Sequence, residues 1–113
     1  MQVIAVYKVT EEIEKPLTVE LVERLVISKT AEYLYSYHAD VDYLVDAQEE
    51  LKDAAVIIGF YINDVRLLNK QFNFINIHPI VIENLAQNNI EKADFRNVDG
   101  VKVADIMFPK NPV

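Results

Sequence analysis

Phe95-Arg96-Asn97-Val98-Asp99-Gly100-Val101-Lys102-Val103-Ala104-Asp105-Ile106-Met107-Phe108 is the stretch whose reading decides the fold class. Asp-Gly between two runs rich in β-branched and apolar residues marks a two-residue hairpin turn. Both central positions of such a turn take positive φ, which glycine and aspartate tolerate. Antiparallel strands over 95–98 and 101–108 are therefore expected, and Phe108-Pro109-Lys110-Asn111-Pro112 closes them in a form that cannot extend a sheet.

Working back from the hairpin, Pro79 is well placed as the first residue of a helix reaching about Asn88, with Ile82 and Leu85 facing inward. Residues 72–77 read as a strand and 65–68 as a short returning strand after the turn signal Asn63-Asp64. Ala55-Val56-Ile57-Ile58-Gly59-Phe60-Tyr61-Ile62 carries no polar side chain apart from the tyrosine hydroxyl, which suits a strand covered on both faces. Residues 41–54 give the cleanest amphipathic helix: Val41, Leu44, Val45, Ala47 and Leu51 fall on one side, Asp42, Asp46, Glu49 and Asp53 on the other.

The N-terminal third is less regular. Residues 2–9 alternate and suit a strand, not a secretory leader. Thr18 offers a helix N-cap ahead of Leu21, Val22, Leu25 and Val26. Beyond Val26 the apolar sector moves to Ile27, Ala31 and Leu34, so a helix over 18–38 needs a kink or break near residues 27–29, or cover on two sides. On this reading Tyr33 and Tyr37 lie on one helix face.

The element order gives an α+β fold as one domain over 1–113: a mostly antiparallel or mixed sheet of four or five strands with helices packed on one face, a ferredoxin-like arrangement leading. The chain is 113 residues long with 51% hydrophobic content, enough to bury a core without a metal or disulfide. It has no cysteine, which excludes thiolate catalysis and cysteine metal sites. Its longest apolar run, 54–62, is far shorter than the ~20 residues a spanning helix needs, so no membrane partner and a cytoplasmic location are expected.

A net charge of −7 argues against direct nucleic-acid binding, which relies on clustered Lys and Arg. The acidity is concentrated: residues 11–53 hold twelve acids and four bases, and the rest of the chain six acids and seven bases. Its densest expression is the helix face Asp42, Asp46, Glu49 and Asp53. Like charges four apart on a helix cost a few tenths of a kcal/mol each. A solvated face that maintains solubility would carry these residues. So would an electrostatic docking surface for a basic protein partner, the need of an inhibitor, immunity or adaptor protein. Tyr33 and Tyr37 are candidate anchors for that partner, tyrosine offering large contact area with few rotors.

Routes to catalysis are sparse. His38-x-Asp40-x-Asp42 lacks the further ligands a metal site requires, so no metal and no cofactor are assigned. His78 has no visible nucleophile partner, and Ser28 and Ser36 lie in no nucleophile elbow. With Gly59 and Gly100 the only glycines, phosphate-cradling loops are excluded. The expectation is a non-enzymatic protein-interaction domain. The alternatives are a small homo-oligomeric domain handling a small molecule at a subunit interface, and a self-assembling structural protein of a phage or mobile element.

Overall fold

The hairpin is built as its sequence demands. In the computed structural model, which describes residues 3–35, 43–46, 48–62 and 74–109, β4 (Lys92–Val98) and β5 (Val101–Phe108) pair antiparallel with Val98 opposite Val101. Asp99 and Gly100 turn the chain with φ of 51° and 86°, the two positive values of a type I′ turn. The Asn97 side chain accepts from the Gly100 amide at 2.9 Å and steadies it.

Upstream lie β1 (Val3–Val9), α1 (Val19–Ile27), β2 (Glu32–Tyr35), the short helical turns α2 (Tyr43–Asp46) and α3 (Gln48–Leu51), β3 (Val56–Ile62) and α4 (Phe74–Ala86). The strands form one mixed sheet in the order β2-β1-β3-β5-β4. Its β3–β5 pair is parallel, and β1–β2, β1–β3 and β4–β5 are antiparallel. This is an α+β domain, as the element order leads one to expect.

Both ends of α1 have a local cause. Thr18 caps α1 by accepting from the Leu21 amide at 3.2 Å. Lys29, at φ 61°, then turns the chain out of the helix while the Thr30 amide returns to the Leu25 carbonyl at 3.0 Å. The expected break near residues 27–29 is therefore there, but strand β2 follows it in place of more helix. Tyr33 thus sits in a strand, not on a helix face with Tyr37, and Tyr37 lies outside the described residues. The expectation of a strand over 72–77 is also corrected, because α4 begins at Phe74 and carries Pro79 within it. A short apolar run fits both a period of 2 and one of 3.6, and the length of the neighbouring helical pattern decides between them. The 65–68 strand lies outside the described residues.

Strand β3 is buried along its whole length, which explains its unbroken apolar sequence. Ile58, Phe60 and Ile62 point to one face with Tyr7, Val9, Ala104, Ile106 and Phe108. There they meet Val22, Leu25 and Val26 of α1 and Val81 and Leu85 of α4. Ile57 and Tyr61 point to the other face with Val6 and Val103, beneath Leu51, Ala54 and Leu44. Helices thus cover one face, as expected, while the short α2–α3 segment covers part of the second. An aromatic row crosses the sheet through its first face. Tyr33 meets Tyr7 edge-on at 5.4 Å, Tyr7 meets Phe60 edge-on at 5.6 Å, and Phe60 stacks on Phe108 at 5.5 Å.

Burial, and after it the neighbouring Tyr33, pushes the Tyr7 phenol above its ordinary value. Below about pH 10 the phenol is protonated in folded and unfolded chains alike and makes stability no more pH-dependent. Above that, the unfolded chain loses the proton first, binds fewer protons than the native state, and is favoured as pH rises. The urea midpoint should therefore fall from about pH 10 upward, and less steeply in Tyr7→Phe. Equal slopes for the two proteins would remove Tyr7 as the cause.

Candidate docking site

The acidic segment is helical where it is described, over residues 43–46 and 48–51, and a turn at Lys52 and Asp53 follows. Asp42 lies outside the described residues and only the backbone of Asp46 is described, so the four-residue acidic stripe is seen at its C-terminal end. There Glu49, Glu50 and Asp53 are all exposed. Among the described residues the ion pair in this stretch is Lys52 Nζ to Glu49 Oε2 at 3.8 Å. With those side chains 66% and 89% exposed, such a pair adds little and leaves the carboxylates to solvent.

The segment is nevertheless anchored. Leu51 and Ala54 are buried against Val6, Ile57 and Tyr61, and Lys8 of β1 donates to the Glu50 carbonyl at 3.2 Å. Val45, expected on the inward side, is 61% exposed. It borders a shallow groove whose apolar wall is Leu44, Leu51, Ile57, Val98 and Val101, with Gln48, Lys52, Arg96 and Asp99 along the rim. Tyr33, by contrast, packs on Tyr7 in the aromatic row across the sheet's first face. The structure does not bring it together with Glu49 and Asp53.

Two polar arrangements escape a reading of composition. On the second face Asp105 Oδ1 accepts from the Tyr61 hydroxyl at 3.1 Å and Oδ2 from Arg96 Nε at 2.8 Å. With both oxygens engaged, this carboxylate is held in place beside Arg96, which lies on the groove's rim. The signal was available: once Asp99-Gly100 is a two-residue turn, Asp94 falls opposite Asp105 and Arg96 lies diagonally beside it.

The second arrangement is Lys102, whose Nζ donates to the carbonyls of Ile13 at 2.6 Å and Lys15 at 3.0 Å. It clamps the acidic loop over 11–15 across a separation of almost ninety residues. That loop and α1 border a cleft in which Glu11, Glu12 and Glu14 are interspersed with Lys15 and Arg24, so its charge is partly balanced. Lys102→Met keeps the stem and removes the donors. It should lower the unfolding free energy by about 1–2 kcal/mol, as charge-assisted bonds at a partly exposed site do, and speed proteolysis within 11–16. An unchanged cleavage rate there would show that the loop holds without the clamp.

His38 and Asp40 lie outside the described residues. Among the described residues no three His, Cys, Asp or Glu side chains come together as metal ligands. No helix among the described residues is long and apolar enough to cross a membrane. In comparisons with protein-family models, curated proteins and solved structures, nothing matches this chain.

Proposed function

We propose that this domain is a non-enzymatic interaction protein that docks a basic partner protein through residues 48–53 and the adjoining groove. The observation that carries the reading is the juxtaposition at α3. Three exposed carboxylates, Glu49, Glu50 and Asp53, stand with Lys52 as their local base beside exposed Val45 and an apolar-walled groove. An apolar floor with a charged rim is how protein interfaces divide their work: burial supplies affinity, and opposed charge speeds encounter and sets orientation. A purely solvating face needs no apolar groove at its border. Asp42 and Asp46 are proposed as further partner-binding carboxylates of the same stretch of sequence. Tyr33 and Tyr37 are proposed as anchors in a subordinate role, Tyr33 standing apart from the carboxylates.

Capture on the immobilised domain from a lysate of the source organism tests the reading. A stoichiometric basic protein should be retained. It should elute as salt rises from about 0.1 M to about 1 M, over which the screening length falls from ~10 Å to ~3 Å. Retention of a partner indifferent to salt, or of no partner, would speak against electrostatic docking.

A further inference from the structure

We infer that β4 is a self-association edge, through which two copies of the chain pair antiparallel about a two-fold axis at Phe95 to give one continuous sheet. Strand β4 is the last in the order β2-β1-β3-β5-β4, and among the described residues no strand lies outside it. Its pairing with β5 runs through seven residues without a bulge, and it contains no proline. A two-residue turn makes Val98 and Val101 the closing hydrogen-bonded pair. Alternation along the ladder then directs the N–H and C=O groups of Arg96 and Asp94 to β5, and those of Ala93, Phe95 and Asn97 outward.

Such an edge is a template for another strand unless something blocks it. Here its middle residue is Phe95, a large apolar side chain left 39% exposed. The charges on β4 select the occupant. With the axis at Phe95 all seven residues of the two copies overlap, Phe95 meets Phe95, and Asp94 faces Arg96 in both halves. Moving the axis to Asp94 sets Asp94 against Asp94 and Lys92 against Arg96, and moving it to Arg96 sets Arg96 against Arg96. Opposite charges directly across a strand pair stabilise it and like charges destabilise it. The register with greatest overlap is thus the one in which this strand complements itself, the requirement of a two-fold contact. The edge also lies outside the acidic 11–53 stretch, in the part of the chain with near-balanced charge.

The pairing does not rest on the acidic carboxylates, although Arg96 also lies on the rim of the groove beside them, and Asp94→Lys tests it without changing Glu49 or Asp53. Within one chain the substitution gives up the exposed Lys92–Asp94 ion pair at 3.4 Å, which adds little at that exposure, and sets a lysine across from Asp105, so the fold should be retained with a nearly unchanged Tm. Between copies the same lysine faces Arg96 twice. Sedimentation equilibrium from micromolar to millimolar protein should show the wild type passing from monomer to dimer. Asp94→Lys should dissociate roughly tenfold or more readily. Phe95→Lys, which places two lysines on the axis, should do the same. In the wild type, amide exchange at Ala93, Phe95 and Asn97 should slow as dimer forms. A wild type that stays monomeric, a dimer indifferent to both variants, or exchange at those three amides that ignores concentration would overturn the proposal.

Discussion

Phe60→Ala is expected to lower the unfolding free energy by about 3–5 kcal/mol, the cost of deleting a large side chain from a close-packed core. Phe60 is fully buried in the middle of β3, itself the middle strand of five. It stacks on Phe108 at 5.5 Å and receives Tyr7 edge-on at 5.6 Å, so its loss removes two aromatic contacts as well as buried area. The sheet on one side and α1 and α4 on the other limit how far the cavity can collapse. Natural domains have only about 5–15 kcal/mol in hand, so the variant should be close to unfolding at 37 °C. Val45→Ala, at an exposed site, should move stability by no more than about 0.5 kcal/mol. Urea unfolding of the three proteins checks both figures. A Phe60→Ala loss below about 1.5 kcal/mol would mean that the core repacks around position 60.

That core was largely legible in the sequence, and particular residues show why. Asp99-Gly100 states its turn type through the φ values it tolerates, and the pairing of β4 with β5 follows from it. The run 55–62 was readable as a doubly covered strand because no polar side chain interrupts it. Leu25 and Val26 identified the buried side of α1, and Leu85 that of α4. The strand order was not legible, because which strands pair depends on long-range packing that no local pattern records. The segment after Lys29 was misread as helix because Ala31 and Leu34 keep a helical spacing over a window too short to separate it from a strand. Lys29 gives no warning either, since the left-handed residue ending a helix is usually glycine or asparagine. The candidate site was legible in its charge and not in its shape. Glu49 and Asp53 are exposed as their spacing suggested, but the groove lined from β3, β4 and β5 arises only from tertiary contacts.

Reversing the charge at Glu49 and Asp53 together should weaken partner binding by roughly tenfold to a hundredfold. The basis is that rim ion pairs contribute a few tenths to one kcal/mol each and reversal replaces attraction with repulsion. The effect should fall mainly on the association rate and shrink as salt rises. Stability should hardly move. Both side chains are exposed, and the bond that ties this segment to β1 runs from Lys8 to the Glu50 backbone carbonyl. The change therefore separates recognition from solvation, which the same carboxylates would otherwise serve equally.

The most direct test of the docking account is the affinity of the purified captured partner for the wild-type domain and for Glu49→Lys/Asp53→Lys, each titrated at low and at high salt. The account predicts a clear loss of affinity in the variant at low salt, a gap that narrows as salt rises, and an unchanged melting temperature. Equal affinity for the two proteins at low salt would contradict it and leave the acidic face of residues 42–53 as solvation alone.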